Sequence, residues 1–113
     1  MRIVTLEVQS REKLKKRTLN AFNGERQGTF ISFESPDLLF KVLSGKRWDL
    51  LKFMTGAGPL TIRETARRVG RDVKSVHGDV HALLNTGILQ KTEEGRIVFP
   101  FDAVQVNFML EAA

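Results

Sequence analysis

Two histidines, His77 and His81, stand one helical turn apart in "RRVGRDVKSVHGDVHALL" (residues 67–84), with Gly78 between them and arginines on the N-terminal side. Imidazoles at positions i and i+4 share one face of a helix, where they can hold a metal ion, meet a phosphate or a base edge, or stand in solvent. For a metal the donors run short: the stretch lacks the glutamate of HExxH, Asp79 points away from both rings on the helical wheel, and the chain has two histidines and no cysteine. No metal site and no cofactor is therefore expected, and the pair is left with a base, phosphate or solvent role.

The charge around the pair favours a polyanion. Eighteen basic against thirteen acidic residues give a net charge of +5 and a pI near 10. Within residues 61–92 six cations (Arg63, Arg67, Arg68, Arg71, Lys74, Lys91) face three acids (Glu64, Asp72, Asp79). A second block, "REKLKKR" at 11–17, carries five cations and one acid. Runs of charge are more often a solvated helical face than a binding surface, so the elements that position them decide the matter.

Those elements are legible. "TIRE" at 61–64 reads as a capping box in which the Thr61 hydroxyl accepts from the Glu64 amide and the Glu64 carboxylate reaches back. Ile62, Ala66 and Val69 form the apolar stripe of a short helix, and Gly70 supplies a turn that needs positive φ. Asp72 caps a second helix with an inward stripe of Val73, Val76, Val80, Leu83 and Leu84. An alanine (Ala66), a glycine four residues on (Gly70) and an aliphatic six further (Val76) are the steric signature of a helix-turn-helix, because the crossing helices leave no room for larger groups at the first two. "TGILQKTEEGRIVFPF" then reads as a glycine stop, a strand ending near Lys91, a Glu93-Glu94-Gly95 turn and a strand from Arg96 to Phe101, the hairpin of a wing.

In a winged helix the outward face of the 72–86 helix enters the major groove, and here that face carries Arg71, Lys74, Ser75 and Gly78, flanked by His77 and His81. These six are the candidate base-reading residues. Gly78 would let the backbone approach DNA closely; the bland alternative is a tolerated helix defect costing about 1 kcal/mol against alanine. Phosphate contacts are expected from the Thr61 helix start, Arg63 and Arg67, and from Lys91, Thr92 and Arg96 on the wing. Glu93 and Glu94 are out of keeping at the wing tip, where phosphate would repel them.

Elsewhere, Val4, Leu6 and Val8 alternate as a half-buried strand, Ser10 starts a helix to about Phe22 that Gly24 ends, and "GTFISFES" is a second β-like run. Ser35-Pro36 opens a helical region with Leu38, Leu39, Val42, Trp48, Leu50, Leu51 and Met54, interrupted at Ser44-Gly45 and stopped by "GAGP". Trp48 is expected in the core. Val104, Val106, Phe108 and Leu110 alternate as a strand that needs a partner, which a second copy or another protein would supply, a homodimer through the terminal strands being favoured. The expected class is α+β: residues 1–35 a β-α-β extension for dimerisation or partner binding, 36–103 the winged helix, 104–113 the C-terminal strand.

The stretches "ISFESPDLLFKVLSGKRWDLLKFMTGAGPLTIRETARRVGRDVKSVHGDVHALLNTGIL" and "GRIVFPFDAVQVNF" resemble winged-helix transcriptional regulators of the MarR/ArsR-like type, and more closely the TumA-like DNA-binding antitoxins encoded beside TumE-type ribonuclease toxins. The resemblance covers most of the chain beyond residue 28. It implies an autorepressing, homodimeric regulator of double-stranded DNA with a cognate ribonuclease-type toxin as partner.

Other classes fare worse. No serine, histidine and acid arrangement, glycine-rich phosphate loop or carboxylate cluster suggests an enzyme. RNA binding through the 11–17 block lacks interleaved exposed aromatics for stacking bases. A winged helix kept only for protein contacts remains an alternative. No apolar run approaches the roughly 20 residues of a membrane span. "MRIVTLEVQSREKLKK" turns polar after Val8, so no export signal and a cytoplasmic location are expected.

Overall fold

The computed structural model describes residues 1–8 and 28–109. The expected 10–22 helix, the 11–17 basic block and Leu110 lie outside them. The architecture is α+β, with four helices, a three-stranded sheet and a two-stranded hairpin among the described residues. None of these helices is long and apolar enough to cross a membrane.

Strand β1 (Ile3–Val8) is central, with β2 (Thr29–Phe33) on one side and β5 (Ala103–Asn107) on the other, both parallel to it. Leu6 pairs with Ile31 and with Val106. The expectation that the C-terminal strand finds its partner in another chain is thus corrected: its partner is β1. The seam is pinned at its start, where the Arg2 amide donates to Asp102 Oδ2 at 2.7 Å and the Asp102 amide donates to the Arg2 carbonyl at 2.7 Å. β1 buries Thr5 and Glu7 as well as Val4 and Leu6, where alternation alone predicts one wet face.

Helix α1 (Pro36–Val42) starts at Ser35, whose hydroxyl accepts from the Leu38 amide at 3.2 Å. Helix α2 (Gly45–Met54) follows after a break at Leu43-Ser44. It buries Leu50, Leu51 and Met54 but leaves Trp48 37% exposed, contrary to expectation. Trp48 lies on the rim of a shallow groove with Lys52, Thr55, Phe99 and Val104. Helices α3 (Ile62–Val69) and α4 (Val73–Thr86) are separated by Gly70 at φ 70°, ψ 33°. Val76, Val80 and Leu83 form the buried stripe of α4, whereas Val73, on the same side of the wheel, stands at the first position of the helix and is 44% exposed. The hairpin pairs β3 (Gln90–Lys91) with β4 (Ile97–Val98), and Leu60 adds a third rung by exchanging two 2.8 Å backbone bonds with Ile97. The second strand is shorter than the 96–101 run expected.

One hydrophobic cluster joins Val4 and Leu6 of the sheet to Leu50, Met54, Val76, Val80, Leu83, Ile97, Phe99 and Phe101. The terminal strands therefore belong to the same core as the helices, as a chain of 113 residues with little room for a second core requires.

Candidate nucleic-acid interface

The capping box forms as the sequence predicts: the Glu64 amide donates to the Thr61 hydroxyl at 3.1 Å and the Thr61 amide donates to Glu64 Oε1 at 3.3 Å. Hydrogen bonding to Thr61 holds the Glu64 carboxyl below its ordinary range. This changes the picture of Thr61 as a phosphate ligand, because its hydroxyl and amide are both engaged and a carboxylate lies over the helix start. Arg63, Arg67 and Arg68 on α3 are exposed. Arg96 reaches back from the hairpin to within 3.8 Å of Glu64, a loose and half-exposed ion pair that a phosphate could displace at little cost.

Of the six base-reading candidates, five lie exposed on α4: Lys74, Ser75, His77, Gly78 and His81. Ser75 doubles as part of the cap, since its amide and hydroxyl both donate to Asp72 at 3.0 and 2.8 Å, so the hydroxyl faces outward only as an acceptor. That bonding also holds the Asp72 carboxyl below its usual value. His77 and His81 bring their Nε2 atoms to 3.1 Å of each other. A Cβ built on Gly78 meets nothing within 4 Å. Gly78→Ala should therefore stabilise the free protein by about 0.5–1 kcal/mol, readable in a urea titration, because alanine is the better helix former and has room.

The sixth candidate, Arg71, is turned away. Its Nη2 donates to Asp79 Oδ2 at 2.6 Å, while Arg47 Nε of α2 donates to Asp79 Oδ1 at 3.0 Å. Arg47 also donates to the carbonyls of Lys41 and Val42 at the end of α1. Asp79 is thus the hub that ties α4 to α2, to the C-terminus of α1 and to the α3–α4 turn. Burial works against its ionisation, yet the bonds and charges of Arg71 and Arg47 outweigh burial and keep its carboxyl below the usual range. Arg71 has a structural post, and its expected role in base reading is revised accordingly. Nothing in the sequence spacing announces the Arg47 contact, which spans 32 residues.

On the hairpin, the Arg96 amide donates to the Thr92 hydroxyl at 3.1 Å and Gly95 turns the chain at φ 81°. The Thr92 hydroxyl thus accepts within the turn, whereas Lys91 is exposed and Glu93 and Glu94 stand exposed at the tip. The arrangement is a capped helix pair with a cation-bearing outer face, followed by an acidic-tipped hairpin.

No curated protein and no solved structure matches the chain. A family model, HVO_A0114, matches residues 42–106, which run from the end of α1 through the helix pair and hairpin into β5. Because that match spans more than half of the 113 residues, the chain belongs to the HVO_A0114 family.

Proposed function

We propose that this protein is a sequence-specific double-stranded DNA-binding regulator of the winged-helix type, a binding protein rather than an enzyme, that reads the major groove with α4. The observation that carries the reading is the α3–Gly70–α4 unit: its inner stripe is sealed into the core while Lys74, Ser75, His77, Gly78 and His81 remain exposed on one helix. Lys74 donates to guanine O6 or N7, the histidines and Ser75 reach neighbouring bases, and Gly78 admits the backbone. Arg63, Arg67, Lys91 and Arg96 neutralise phosphates. Two copies related by a twofold axis would match a palindromic operator, with contact through the outer strands of the sheet. The sequence resemblance to TumA-like antitoxins adds autorepression in the cytoplasm and a ribonuclease-type toxin as partner.

The test is binding to DNA upstream of the protein's own coding region against unrelated DNA over a salt series. Lys74→Ala should weaken the specific complex by about 1–3 kcal/mol, roughly 5- to 150-fold, and relax preference at one base pair. Gly78→Ala should weaken it too while stabilising the free protein, a split that a folding defect cannot produce. Binding indifferent to sequence and to Lys74→Ala refutes the reading. A second reading, a protein-interaction module, is favoured by the exposed Phe40 and Phe108, whose rings meet edge to face at 5.2 Å.

A further inference from the structure

The two histidines of α4 approach each other more closely than helical spacing alone demands. Their Nε2 atoms are 3.1 Å apart, the ring centroids 4.2 Å, and both rings are exposed. For neutral imidazoles that contact needs one ring to donate its Nε2 hydrogen to the lone pair of the other. A cation can take the place of that hydrogen. An ion about 2.05 Å from each nitrogen would subtend an angle of about 98° across a 3.1 Å gap, between the 90° of octahedral or square-planar coordination and about 109° for a tetrahedron.

Against the expectation drawn from the donor count, and on the strength of the 3.1 Å approach of their Nε2 atoms, we propose that His77 and His81 form a two-imidazole site for a divalent first-row ion of borderline character, Ni²⁺, Cu²⁺ or Zn²⁺. Nitrogen donors exclude Mg²⁺ and Ca²⁺, which require oxygen. Among the described residues no third histidine, cysteine or carboxylate joins the pair. Asp79, the acid between them in sequence, is held by Arg47 and Arg71. Water completes the coordination sphere, so the site is open and exchangeable rather than structural. Binding requires the donor ring to shift its hydrogen from Nε2 to Nδ1 through solvent, leaving two Nε2 lone pairs for the metal and releasing no proton from a neutral pair. Lys74, one turn before His77, adds a like charge that lowers affinity without blocking access. The site goes beyond the DNA-binding reading and does not depend on it.

The test is calorimetric titration of the tag-free full chain with NiCl₂, in the absence of DNA and with Mg²⁺ present. One ion per chain is expected. His77→Ala and His81→Ala should each weaken binding by at least about tenfold, since the loss of one imidazole removes the intramolecular second contact. Circular dichroism should show both variants as helical as the parent, because the rings are exposed. With Cu²⁺, electron paramagnetic resonance should show coupling to two imidazole nitrogens that the double variant lacks. Absence of binding by the parent overturns the proposal, and so does equal binding by the double variant, which would assign the ion to other donors.

Discussion

Leu6→Ala lowers the stability of the entire chain by about 3 kcal/mol, within the roughly 2–5 kcal/mol typical of a leucine truncated in a sealed core. Leu6 is fully buried on the central strand and belongs to the same cluster as Val76, Val80 and Leu83 of α4. Deleting its side chain therefore opens a void in the core that the sheet shares with the helices. The sole tryptophan, Trp48 on α2, reports on the helical side of that core. Its fluorescence and the far-ultraviolet circular dichroism should lose their native signals at the same, lowered urea midpoint, as a single cooperative unit does. An unchanged Trp48 transition would mean that the terminal sheet folds as a separate body.

Asp79→Ala is the second large effect, about 2–4 kcal/mol. It leaves two guanidinium groups facing each other without their shared counter-charge, which places it near the cost of breaking a buried pair. The side chains of Arg47, Arg71 and Asp79 retain 23%, 21% and 15% of their exposure, and this partial hydration keeps the loss below that of a fully enclosed triad. The effect should depend on pH in a defined direction. A carboxyl whose folded value is depressed contributes its full stability above its unfolded value, about 3.9, and loses it as pH falls through the folded value. The gap in urea midpoint between wild type and variant is therefore constant near neutrality and closes below about pH 4. A gap that persists into strong acid would show that packing, not ionisation, is what Asp79 supplies. Because Asp79 also fixes α4 against α2, the variant should bind DNA more weakly than its residual folded fraction predicts if α4 is the reading helix.

How much was legible beforehand follows the range of the interactions. The Thr61 capping box, the Gly70 turn, the Asp72 cap and the Gly95 turn all rest on hydrogen bonds or dihedral preferences within four residues, and each appears where its residues predict. Long-range partners left no such trace. The strand at 103–107 was recognisable by alternation, but alternation says only that a partner is needed; that β1 supplies it depends on a pairing between Ile3 and Ala103, a hundred positions away. Trp48 carried helical spacing with Leu51, yet the inward arc of α2 is set by Leu50, Leu51 and Met54, and the large ring falls at its edge. Arg71 has its place beside the outward face, whereas an arginine has reach enough to turn inward to a carboxylate two turns along the next helix. On the candidate surface itself, exposure on α4 agreed with the wheel for Lys74, Ser75, His77, Gly78 and His81, because an amphipathic helix with a firm apolar stripe fixes its opposite side by geometry.

The β1–β5 seam also bears on how the protein is made. Strand β1 is synthesised well before β5, the neighbour that is not complete until residue 107. At about 5–20 residues per second that delay is roughly 5–20 s, long against the microseconds in which helices form. During translation α2, α3 and α4 can assemble while β1 still shows an open edge and the apolar side chains of Val4 and Leu6 to its surroundings. Completion of the sheet is then a late step that closes a loop of about a hundred residues, the slowest class of contact by topology. A nascent chain held for that interval has an exposed strand edge as its principal aggregation hazard, and a chaperone that shields extended apolar segments would act on this protein at β1.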